Sequence, residues 1–184
     1  MTDHHDDTPR SPTDVVTFWR DAGPERWFNK DETFDATFRD TFLRTHEIAA
    51  AGALEGWLDD HEGALALLVL LDQFPRNAFR GTARMYATDP LARRYADRAI
   101  ELGHDERVDP AMRFFFYLPF AHSESLEDQD RSVALHERIH ETQHANGHRD
   151  IIRRFGRFPH RNALLGRETT AEEKAFLDEG GFGG

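Results

Sequence analysis

Between Glu62 and Gln73 the chain is apolar on nearly every side, with an unbroken run from Ala64 to Leu71. A helix made from such a run has no face to give to water, so other helices must surround it. The run is far shorter than the roughly 20 residues a membrane span needs. Elsewhere apolar residues recur at three- and four-residue spacing, and no stretch sustains the two-residue alternation of a strand. The fold class that follows is all-α, as a single-domain helical bundle or a short stack of helix pairs. The length of 184 residues fits one domain better than two.

The punctuation of the chain divides it further. A short helix is predicted over 14–20 on Val15, Val16, Phe18 and Trp19, stopped by Gly23-Pro24. A second is predicted over 33–51 on Phe34, Phe38, Phe42, Leu43, His46 and Ala50, ended by Gly52, and Pro75 is expected to close the apolar run. Asp89-Pro90 opens a helix that ends at Gly103, and Asp109-Pro110 opens one over 112–120 whose Phe114, Phe115, Phe116 and Tyr117 need burial. Ser125 with Asp128 reads as the cap of a helix to about His144, interrupted near Asn146-Gly147 and followed by a helical stretch to Phe155-Gly156. Thr169 or Thr170, with Glu172 or Glu173, caps a last helix to Asp178. Residues 1–11 predict a disordered lead-in, 12–179 the single domain and 180–184 a flexible tail.

Acidic residues outnumber basic ones 34 to 23, and the net charge of −11 repels nucleic-acid backbones and anionic lipid. Neither nucleic acid nor membrane is an expected partner. The basic residues are almost all Arg, with Lys only at Lys30 and Lys174, a balance that suits solubility at high salt or reflects compositional bias alone. The absence of cysteine excludes disulfides, thiolate metal sites and Cys nucleophiles. The N-terminus lacks the basic-then-apolar pattern of an export signal, so the expected location is the cytoplasm.

His136-Glu137-Arg138-Ile139-His140 matches HExxH, and His140-Glu141-Thr142-Gln143-His144 matches it again. Two imidazoles one helical turn apart can share a zinc ion while the Glu acts as general base. The second copy continues to Gly147 and Asp150, as in the extended metzincin motif with Asp for the third His, but Met1, Met85 and Met112 all lie upstream of where a Met-turn is needed. A helix face rich in His and Glu produces this spacing by chance. The expected use is a solvated face, with no metal and no cofactor.

The chemistry-bearing pattern is a repeat. Asp72-Gln73-Phe74-Pro75-Arg76-Asn77 and Phe158-Pro159-His160-Arg161-Asn162 each set Phe-Pro after an apolar helical run and follow it with Arg and Asn. If the two turns converge, Arg76, Arg80, Arg157 and Arg161 can bind an anion through guanidinium forks, with Asp72, Gln73, Asn77 and Asn162 in the same wall. The same residues can instead cap helix ends and lock their own turns. His122, Glu124 and His160 are the candidate catalytic groups, His122 or His160 carrying a proton near neutral pH. The expected ligand is a small anionic metabolite, held by an enzyme of unassigned reaction or by a binding protein. The alternative is a non-enzymatic helical module that binds a peptide or protein.

Phe18-Trp19, Trp27-Phe28, the segment from Leu70 to Asn77 with Phe79-Arg80-Gly81-Thr82, Phe116-Tyr117-Leu118-Pro119-Phe120, His122-Ser123-Glu124, Asp128-Gln129, His148-Arg149-Asp150-Ile151-Ile152 and Arg157 to Asn162 together resemble a bacterial family catalogued as domain of unknown function 924. The resemblance covers about Val15 to Leu177. It implies a helical fold of the tetratricopeptide-like superfamily, which no 34-residue period shows independently, and it brings no activity.

Overall fold

The computed structural model of the chain describes residues 8–183, so the predicted lead-in lies outside the described residues up to residue 7. The described residues hold ten α-helices, several 3-10 turns and no strand. The fold is all-α. The chain gathers into two compact units, one reaching to Arg80 and taking up Arg84–Phe116, the other formed by Gly81–Ala83 and the residues from Tyr117 on.

The first unit contains α1 (Pro12–Ala22), α2 (Pro24–Trp27), α3 (Glu32–Ala50), α4 (His61–Leu68), α5 (Phe74–Ala78) and α6 (Asp89–Glu101). Ser11 caps α1 through a reciprocal box with Asp14, and Asp31 caps α3 by accepting the Thr33 and Phe34 N–H groups. The all-round apolar run does become the centre: α4 packs against α1 and α6, and Ala64 to Leu71 are buried throughout. Rings of Phe18, Trp19, Phe34, Phe38, Phe42 and Phe115 interlock around it, with Phe38 edge-on to Phe74 at 5.1 Å. Each such ring contributes roughly 1.5–3 kcal/mol through burial.

Pro75 does not close this run. After α4 the backbone widens into a π turn over Val69–Gln73, with the Phe74 N–H reaching the Val69 carbonyl, and helix then resumes through Pro75 to Ala78. A proline in a helix leaves the carbonyl four residues back without an N–H, and the wider turn frees others. Side chains take them up: the Thr88 hydroxyl donates to Leu71 O (2.6 Å), His46 Nδ1 bonds Leu70 O (2.9 Å) and Arg76 donates to Asp72 O (2.8 Å).

The second unit contains α7 (Leu118–Ala121), α8 (Leu126–Glu137), α9 (Gln143–Phe155) and α10 (Ala171–Asp178). The helix expected over 112–120 is instead a 3-10 turn, Pro110–Phe116, followed by α7, which Pro119 opens. Buried Gln129 donates to the Ala121 and Ser123 carbonyls and so fixes the end of α7. The cap of α8 differs from the sequence expectation, because Ser125 makes no side-chain cap bond: Ser123 Oγ accepts the Ser125 N–H and donates to Asp128.

The break expected at Asn146-Gly147 lies earlier. α8 ends at Glu137, His140 takes a left-handed φ of 59°, and α9 runs straight through Asn146-Gly147. Gly156, at φ 70°, ends α9, and a Thr170–Glu173 box caps α10.

Candidate functional site

The polar groups of the first Phe-Pro turn close on carboxylates within their own unit. Arg76 forks onto both Asp89 oxygens (2.8 and 3.0 Å) and also reaches Asp72, whose other oxygen accepts from Gln73 at 2.6 Å. Asn77 and Arg80 both donate to Asp35, at 2.7 and 2.9 Å. Burial opposes the charge on Arg76, but Asp72 and Asp89 outweigh it and raise its pKa. These five predicted ligand residues therefore hold the π turn against α3 and α6.

The second turn is held by a chain of charged groups that begins at Glu124. Its carboxylate accepts the Phe158 N–H (2.8 Å) and a fork from Arg167 (2.8 and 3.0 Å). Arg167 also donates to Phe158 O and Asn162 Oδ1; Asn162 in turn donates to Glu173, which accepts a fork from Arg157 at 2.6 and 2.9 Å. Burial would raise the Glu124 carboxyl, but Arg167 and the Phe158 N–H hold it below the ordinary range. The Arg157 hydrogen bond does the same to Glu173 more strongly, to about 2.

On this scaffold the structure brings together His122, Glu124, His160 and Arg161 of the predicted set and adds His148 from α9. Arg161 is buried, donates to the His122 carbonyl (2.9 Å) and lies over the Phe158 ring at 4.6 Å. The His148 ring lies 6.3 Å from that of His122 and 5.6 Å from that of Phe158, and His160 is 5.7 Å from Phe158. Burial and then the neighbouring His122, His144, Arg161 and His160 push His148 down to about 3. The group is a concentration of cation-capable side chains around one neutral imidazole whose Nδ1 is buried without a hydrogen-bond partner.

Sequence reasoning missed His148, Arg167 and Glu173. His148 stands in the family-like stretch His148-Arg149-Asp150, but one helical His carries no spacing signal of its own. The HExxH pattern dissolves on folding: His136 is buried on α8 and bonds the Ser132 carbonyl through Nδ1, His140 sits in the left-handed turn, and His144 belongs to α9. The expected solvated face therefore does not exist for His136. Among the described residues no three His, Asp or Glu side chains are grouped to hold a metal ion, and no helix is long and apolar enough to cross a membrane.

The model of a bacterial protein family of unknown function, DUF924, matches residues 15–181. A solved structure of a protein of unknown function from Agrobacterium tumefaciens is similar over 92% of this chain and 97% of its own, with 55% sequence identity and a TM-score of 0.90. Comparison with curated proteins gives no match.

Proposed function

The chain belongs to this bacterial family of unknown function, whose name assigns no chemistry, and we propose from its side chains that it binds a small anion at His122, His148, His160 and Arg161. The observation that carries the reading is the surroundings of His148, where His122, His144, His160 and Arg161 act on one imidazole in a chain of net charge −11. An imidazole that takes up a proton beside Arg161 is opposed by its neighbours in the free protein, and a seated anion turns that repulsion into attraction. Glu124 and Arg167 position the turn, and Arg157 and Asn162 anchor it to Glu173. An enzymatic use of the site would take His122 or His160 as proton carrier. Asp72, Gln73, Arg76, Asn77 and Arg80 have no part in this reading, because Asp72 and Asp89 hold Arg76, Asp35 holds Arg80 and Asn77, and Gln73 donates to Asp72.

The alternative, a peptide-binding module, draws on Phe28, which is 62% exposed beside the Trp27 and Phe114 rings. Calorimetric titration with inorganic phosphate tests the anion site. Wild type and Arg80→Ala bind alike, whereas His160→Ala loses roughly ten-fold, as for one charge-assisted hydrogen bond. Equal affinity in all three, or no binding, removes the site.

A further inference from the structure

The glycines after α10 serve a geometric purpose. The Gly180 N–H bonds the Leu177 carbonyl and the Gly181 N–H bonds the Phe176 carbonyl at 2.9 Å, with Gly180 left-handed at φ 84°. This is the double bond of a Schellman turn, which reverses the chain after a helix. Gly181 is also required by space, since a Cβ there would lie 2.5 Å from the Phe176 carbonyl oxygen and 2.6 Å from its ring. The turn delivers Phe182 onto the histidine cluster, 4.8 Å from His148, 5.1 Å edge-on from His160 and 6.4 Å from Phe158. One phenyl ring thus rests on two imidazoles and a second phenyl, although it is 41% exposed.

Beside it lies a hollow of about 440 Å³, lined by His144, His148, Phe155, Phe176 and Phe182. It offers room into which the Phe182 ring can turn. A charge-only site needs no ring-shaped seat, and an apolar core needs no imidazoles. The two occur together where a ligand has a flat ring at one end and a charge at the other.

We infer that the anion bound at His122, His148, His160 and Arg161 carries a planar aromatic ring, and that Phe182 occupies that ring's seat until the ligand displaces it. This inference rests on the anion site proposed above. The ligand ring stacks on His148 and Phe158, and its charged group faces Arg161 and the imidazole N–H groups. With Phe182 on the seat, water is kept from the His148 ring in the unliganded protein.

Titration of the full chain with inorganic phosphate and with phenyl phosphate tests the seat, in wild type, Phe182→Ala and Phe182→Leu. Wild type binds phenyl phosphate about ten-fold more tightly than phosphate, the equivalent of one aromatic pair. Phe182→Ala and Phe182→Leu, which remove the competing ring, bind phenyl phosphate several-fold more tightly still and phosphate unchanged. The ring signals of His148, followed by nuclear magnetic resonance, shift on saturation with phenyl phosphate in all three chains. Phosphate binding without preference for the phenyl ester, or weaker binding of the ester by both variants, overturns the seat and leaves the anion site standing. Failure of both probes on every chain removes the anion site, and the seat with it.

Discussion

The Thr88 hydroxyl donates to the Leu71 carbonyl at 2.6 Å, and Leu71 lies in the π turn, Val69–Gln73, that leads into Pro75. A side chain from the start of α6 thus completes the backbone of the buried run. Thr88→Val keeps the shape and leaves a buried carbonyl without its donor, at a cost of roughly 1–3 kcal/mol. The urea midpoint should fall with no change in the slope of the transition. An unmoved midpoint would contradict this role.

Gly63 lies in the first turn of α4, where an added Cβ would meet the Trp57 carbonyl oxygen at 2.2 Å. Replacing Gly with Ala inside a helix ordinarily gains up to about 1 kcal/mol. Here the obstacle is backbone, which cannot swing aside, so Gly63→Ala should lower the thermal midpoint. A rise would show that the 3-10 turn carrying Trp57 yields easily.

Ser123 and Ser125 should respond in opposite order to what helix-cap patterns suggest. Ser123→Ala removes both the hydroxyl that Ser125 N–H uses and a donor to Asp128, at about 1 kcal/mol. Ser125→Ala removes no cap bond and should be near neutral. Chemical denaturation of the two variants side by side decides between them.

Burial lowers His46 and His136 below their usual 6.5, and His148 lies lower still, at about 3. The folded state then binds fewer protons than the unfolded one wherever the free imidazole titrates. Stability is complete above pH 6.5 and declines as pH falls through and below that value, by up to about 1.4 kcal/mol per pH unit for each histidine. Glu173 adds nothing to this slope between pH 7 and 5, because its contribution is present above 4.5 and is lost only as pH falls toward 2. Unfolding curves at pH 7, 6 and 5 should show the decline, and His148→Phe should flatten it in part.

An anion seated against His148 favours the protonated ring, so its binding takes up a proton. Because the free ring stays neutral down to about 3, sulfate, which keeps its charge across the range, should bind more tightly as pH falls from 5 to 3.5, by at most about ten-fold per unit for one coupled proton. Affinity that does not change with pH would separate sulfate from His148.

Local signals in the sequence were sound where one residue decides one bond. Gly23, Gly103 and Gly156 end their helices, Thr170 and Glu173 form their box, and the run from Ala64 to Leu71 is the centre of its unit. Pro75 misled because a remote hydroxyl, that of Thr88, can stand in for a missing ladder, and no local pattern announces it. The same holds for the site. The Arg residues at Arg76, Arg80 and Arg157 were visible, but the carboxylates that hold them, Asp89, Asp35 and Glu173, lie 13, 45 and 16 positions away. His122 and His160 were readable as turn histidines, whereas His148 became notable only once the rings of Phe158 and Phe182 were placed on it.

His140 carries a lesson for reading motifs as text. Two overlapping letter patterns that spell a zinc protease run across a junction where one residue at φ 59° sends the chain into a new helix. The imidazoles that the letters align are thereby assigned to different segments, and the one-turn helical spacing that the letters presuppose is not kept across them.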